Sequence, residues 1–139
     1  MTLSDRLYYY MPDDQAKDQS NRGKYNCAEA MYRAIIDHYN LSVSEDAKSQ
    51  MAAFGGGMFV GDVCGFLVGG YAALAVMYAD STPPMANQKL KSISSQYHKL
   101  FNQEFNGSDC AKIKPAYGGC SQYGIRAAKI FEELIESTK

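Results

Sequence analysis

The sequence predicts an all-α fold, a compact single-domain bundle of five to six helices with a central glycine- and alanine-rich helix. Three observations carry that prediction. Apolar residues recur every three or four positions, most clearly at Leu90, Ile93, Tyr97, Phe101 and Phe105, and no segment alternates with the period of two that a half-buried strand requires. Helix start and stop signals bracket the apolar runs. A length of 139 residues, 46% hydrophobic, with a net charge of −1, suits one domain over 1–139 that buries its own core.

Pro12 with Asp13 and Asp14 marks a first helix start, and Gly23 its stop. Asn26-x-x-Glu29 is a capping pattern for a helix running to about Tyr39, with Cys27, Met31, Ile35 and Tyr39 along one face. Ser42-x-x-Glu45 opens a short helix carrying Ala47, Met51 and Phe54, which Gly55-Gly56-Gly57 ends. Asp62 is the expected N-cap of the central helix, which stops before Pro83-Pro84. Its Gly65, Gly69, Gly70, Ala72, Ala73 and Ala75 let neighbouring helices approach closely. The Leu90–Phe105 stripe follows, and Gly107 ends it. Ser108-Asp109 begins a short turn carrying Cys110, which Pro115 breaks. A last helix spans about Cys120 to Ser137, with Tyr123, Ala127, Ile130, Phe131 and Leu134 inward.

Composition narrows the function. Charges are mixed along the chain, with no basic stripe for nucleic acid. The N-terminal residues have neither a basic nor an apolar region of the kind a signal peptide carries. The apolar stretch 63–79 falls short of the ~20 residues a membrane span needs and is interrupted by glycines and tyrosines. The expectation is a cytoplasmic protein without membrane insertion, where structural disulfides are rare.

Four cysteines, Cys27, Cys64, Cys110 and Cys120, therefore call for another explanation. At least three stand at predicted helix starts: Cys27 after Asn26, Cys64 after the glycine stretch, and Cys120 after Gly118-Gly119. A helix N-terminus carries roughly half a positive charge, which favours a thiolate. No Cys-x-x-Cys occurs, so there is no thioredoxin-type pair and no local zinc knuckle, and any site is assembled from distant segments. Gly55, Gly56 and Gly57, with Gly61, form either a simple turn or a loop whose amides approach an anion or thiolate, a candidate binding element.

Asn26-Cys27-Ala28-Glu29-Ala30, the glycine loop, Cys64-Gly65-x-x-x-Gly69 and the final pair Cys110 and Cys120 resemble the redox-active four-cysteine family written C_GCAxxG_C_C. The resemblance runs from about residue 23 to 137. It implies a redox or metal role for the cysteines, with no established reaction. The family has alanine after Cys-Gly where this chain has Phe66, a bulky aromatic that reshapes whatever sits against Cys64.

Three readings follow. In the first, thiol–disulfide chemistry, Cys64 is the nucleophile and Cys27 or Cys120 resolves it. Lys112 and Lys114 lie near Cys110 and Cys120, and a redox partner of unspecified identity supplies the electrons. In the second, the thiolates of Cys27, Cys64, Cys110 and Cys120 hold zinc or an iron–sulfur cluster, with His38 and His98 as additional candidate ligands. In the third, the cysteines are structural and Tyr8-Tyr9-Tyr10 offers an aromatic contact surface. A second copy of the chain is a further candidate partner in any of them. Glu29, Asp62 and Glu104 read as caps and surface charges, and no hydrolase or nucleotide-binding motif is present.

Overall fold

The computed structural model describes residues 1–12, 25–117 and 120–138, with side chains for all of these except 114–117. The expected helix from Pro12 to Gly23 and the Gly118-Gly119 step lie mostly outside the described residues. The fold is all-α. Its helices are α1 (Leu3–Tyr10), α2 (Cys27–His38), α3 (Glu45–Ser49, continued by a 3₁₀ turn Gln50–Phe54), α4 (Gly65–Tyr78), α5 (Gln88–Phe105), α6 (Cys110–Tyr117) and α7 (Cys120–Ser137).

Sequence reasoning did not anticipate α1. Thr2 and Asp5 form a reciprocal capping box: the Asp5 amide donates to Thr2 Oγ1 at 3.1 Å and the Thr2 amide to Asp5 Oδ2 at 2.9 Å. Leu3 and Leu7 then bury against α2 and α7. The tyrosine run is correspondingly split. Tyr9 is exposed, whereas Tyr10 packs edge-on against Tyr25 and donates its hydroxyl to Asp37.

The helix at the middle of the structure is α2, which touches α1, α3, α4 and α7 and is buried on every side from Cys27 to Ile36. It carries Glu29 and Arg33 into the interior as an i,i+4 pair at 2.9 Å, with Arg33 also reaching Glu45 at 3.0 Å and lying over the Tyr25 ring. Glu29 is thus a buried partner and not a surface charge. The same network explains the start of α3. Glu45 is drawn to Arg33 and does not reach back to cap, and Ser44 supplies the N-cap in place of Ser42, accepting from the Ala47 amide at 3.2 Å.

The glycine- and alanine-rich α4 packs tightly on α2, as its small residues predict. A Cβ at Gly69 would lie 2.5 Å from the Ala28 carbonyl oxygen. The α5 stripe is buried at Ile93, Tyr97, Phe101 and Phe105, and ends at Asn106, which takes the left-handed C-cap expected of Gly107. α6 continues through Pro115 to Tyr117 and is not broken there. α7 spans the predicted residues and buries Tyr123, Ala127, Phe131 and Leu134. Among the described residues, no helix is long and apolar enough to cross a membrane.

Candidate functional site

Each of the four cysteines opens a helix. Cys27, Cys110 and Cys120 are the first residues of α2, α6 and α7, and Cys64 is the N-cap of α4. All four are thiols. Backbone geometry explains how such distant positions meet. Residues 62–64 run antiparallel to 108–110: the Cys64 amide donates to the Ser108 carbonyl at 2.7 Å and the Cys110 amide to the Asp62 carbonyl at 2.6 Å, around a Val63–Asp109 bridge. This pairing joins the start of α4 to the start of α6. It also corrects the expected role of Asp62, whose carbonyl is used in the bridge, while Cys64 takes the N-cap position of α4.

The starts of α2 and α4 meet through Gly65. A Cβ there would stand 2.3 Å from Cys27 Sγ and 2.8 Å from the Ala28 nitrogen, so only glycine lets the two helix ends touch. The glycine loop closes over the same sulfur. Gly56 takes a left-handed conformation (φ 60°, ψ 29°) and aims its amide at Cys27 Sγ, 3.4 Å away. Of the two readings open for the loop, an amide approaching a thiol is the geometry observed. Gly57, Met58 and Phe59 continue with positive φ, leaving Phe59 and Val60 71% and 79% exposed. A left-handed phenylalanine is strained, and such strain collects at functional segments.

Sequence reasoning missed the residue that links the sulfurs. It had placed Tyr123 only as an inward core position. Tyr123 is fully buried, yet its hydroxyl lies 3.9 Å from Cys64 Sγ, whose thiol donates to it, and 3.6 Å from Cys120 Sγ. The two sulfurs are therefore separated by no more than the sum of those distances. Phe66 and Phe105 hold the Tyr123 ring edge-on at 5.1 and 5.8 Å. Phe66, the departure from the family pattern, lies over Gly124, where a Cβ would come within 2.5 Å of its ring. The link was visible as Cys120-x-x-Tyr123, the i,i+3 spacing that places two side chains on one helix face.

Electrostatics correct the expectation that a helix N-terminus lowers the thiol pKa at Cys27 and Cys64. Cys64 is 0% exposed, and burial, reinforced by Cys27, pushes its thiol up to about 12 against the opposing pull of the Phe66 and Leu67 amides. Burial likewise raises Cys27, which lies within electrostatic reach of Cys120 and Cys110, while the Gly56 and Gly65 amides pull the other way. Desolvation outweighs the helix ends at both positions. Tyr123 stays protonated for the same reason, with the nearby Cys64 adding to the effect. Cys110 is buried and Cys120 is half-buried, the most accessible of the four.

The remaining candidates lie elsewhere. His38 sits at the opposite end of α2, accepting from Arg6 Nε at 3.0 Å on Nδ1 and meeting Glu132 at 2.9 Å. His98 stacks on Tyr71 beside Asn102 on α5. Lys112 is exposed and pairs weakly with Asp109 at 3.7 Å, the Lys114 side chain lies outside the described residues, and Glu104 pairs with Arg126. Among the described residues, no group of three or more His, Cys, Asp or Glu side chains is arranged to hold a metal ion. Two of the four thiols, Cys64 and Cys120, are turned toward one phenol.

Neither a curated protein nor a solved structure matches the chain. A family model does, over residues 25–134, a span that contains all four cysteines, the glycine loop and Tyr123. The chain belongs to the family described as "Putative redox-active protein (C_GCAxxG_C_C)".

Proposed function

We propose that the protein performs reversible thiol–disulfide exchange, with Cys120 as the thiol that meets the partner and Cys64 as the thiol that resolves it. The observation that carries this reading is the single Tyr123 hydroxyl within hydrogen-bonding distance of both sulfurs. Accessibility assigns the order. A partner disulfide can approach the half-buried Cys120, whereas Cys64 is sealed and held neutral until a reaction beside it supplies an electrophile. These assignments reverse the roles the sequence suggested for Cys64 and Cys120.

The steps balance. Ionised Cys120 attacks one sulfur of a partner disulfide; a Cys120–partner bond forms, the partner's S–S bond breaks, and one partner thiolate leaves and takes a proton. Cys64 then loses its proton and attacks Cys120 Sγ. A Cys64–Cys120 disulfide forms, the mixed disulfide breaks, and the second partner thiol is released. The protein dithiol is oxidised by two electrons and the partner disulfide reduced by two. Cys27 and Cys110 line the same neighbourhood, and their helix ends add positive potential where thiolate charge develops.

The test is mixed-disulfide formation with oxidised glutathione. The wild-type protein passes through the adduct to an intramolecular disulfide, Cys64→Ser stops at a glutathione adduct on Cys120, and Cys120→Ser forms no adduct. An adduct on Cys64 or Cys27 in Cys120→Ser, at the wild-type rate, contradicts the assignment.

A further inference from the structure

We infer that Tyr123 is a catalytic residue of this exchange, its hydroxyl passing a proton between the Cys64 and Cys120 sites. The inference rests on the exchange reading and adds a role that neither the family nor the cysteine pattern assigns.

The relay has a direction. Cys64 donates its S–H to Tyr123 Oη, so the phenol oxygen is occupied as an acceptor on that side. Either atom of the Tyr123–Cys120 pair, 3.6 Å apart, can donate, and the relay has the phenol hydrogen directed at Cys120 Sγ. The resulting order is Cys64 S–H, then Tyr123 O–H, then Cys120 sulfur. Burial excludes water from the Tyr123 ring, and the edge-on contacts from Phe66 and Phe105 fix its plane, so the hydroxyl is pre-positioned.

That order fits the chemistry at each step. In the first, a donor on Cys120 Sγ stabilises negative charge on the attacking sulfur. In the second, Cys64 must shed a proton in a site closed to solvent. The Cys64 proton passes to Tyr123 Oη while the Tyr123 proton passes to the partner sulfur expelled from Cys120. The phenol is regenerated as it began, the partner leaves as a thiol, and no charge is stranded in the core. A buried thiol pushed up as far as Cys64 needs such an acceptor to react at neutral pH.

The test is Tyr123→Phe, which removes one oxygen and keeps the ring and its aromatic contacts. With oxidised glutathione, closure of the Cys64–Cys120 disulfide from the mixed disulfide slows about a hundredfold, in the range of lost acid–base catalysis. Alkylation of Cys120 by iodoacetamide slows severalfold. Closure within twofold of wild type overturns the relay and leaves the exchange reading standing. Failure of the wild-type protein to form any Cys64–Cys120 disulfide overturns both. Should Tyr123→Phe not fold, the wild-type closure rate is measured across mixtures of light and heavy water. Two protons in flight give a curved dependence on deuterium fraction, and a linear dependence overturns the relay.

Discussion

The thiol cluster has two halves that obey different physics. On the α2–α4 side, Cys27 and Cys64 lie where helices press backbone to backbone, and both thiols are raised by burial. On the α6–α7 side, Cys120 stands half-buried beside the phenol of its own helix. All four sulfurs have a helix N-terminus, so the macrodipole does not distinguish them. Packing does. A helix end contributes about 0.3–1 kcal/mol to a nearby charge, while complete desolvation of an ionised group costs several. The comparison teaches that a cysteine at a helix start is a nucleophile only where the fold leaves it open.

The comparison breaks most easily on reactivity. Native-state alkylation by iodoacetamide, followed by peptide mass analysis, should modify Cys120 at least about a hundredfold faster than Cys64, because Cys64 reacts only after local opening. Equal rates would erase the distinction between the halves.

Packing around Tyr123 gives the next largest effect. Phe66→Ala removes a fully buried ring and should cost about 3–5 kcal/mol in denaturant unfolding. Gly124→Ala alone is also destabilising, since its Cβ meets the Phe66 ring at 2.5 Å. The double variant should be more stable than the sum of the two losses, because the new methyl enters the space the ring vacates.

Alkaline pH sharpens the comparison. The Cys64 thiol is raised in the folded state, so its contribution to stability is complete below the unfolded value near 9 and is lost as pH rises toward about 12. Across that window the unfolded chain has released the proton and the folded one retains it, so unfolding becomes easier with each unit. The loss is on the order of a few kcal/mol. Cys64→Ala should flatten that part of the stability–pH curve.

The smallest effect concerns the glycine loop. Gly56→Ala imposes a left-handed backbone on a side-chain-bearing residue and should cost about 1–2 kcal/mol, measured by thermal unfolding. Open space around that position removes any steric term, so the loss reports conformation alone.

Much of this was legible in the chain. The α5 stripe, the extent of α7 and the Asn26 cap are local signals, and local signals survive folding. Two further cues were equally local and passed unread: Thr2-x-x-Asp5, which caps α1, and Cys120-x-x-Tyr123. The errors share a different cause. Asp62 lost its capping role to a bridge with residues 108–110, Ser42 lost its role to Ser44 once Glu45 was taken by Arg33, and Cys64 lost its lowered pKa to burial. Each depends on a partner far away in sequence, which no window of neighbouring residues contains. That the cysteines stand at helix starts was legible because those signals are local; their chemical inequality was not.

The most direct measurement is the disulfide map of the wild-type protein after reaction with one equivalent of a disulfide oxidant. The account predicts a single dominant cross-linked peptide pair joining Cys64 to Cys120. A map dominated by any other pairing, or an oxidised protein with every thiol still alkylatable, would contradict it.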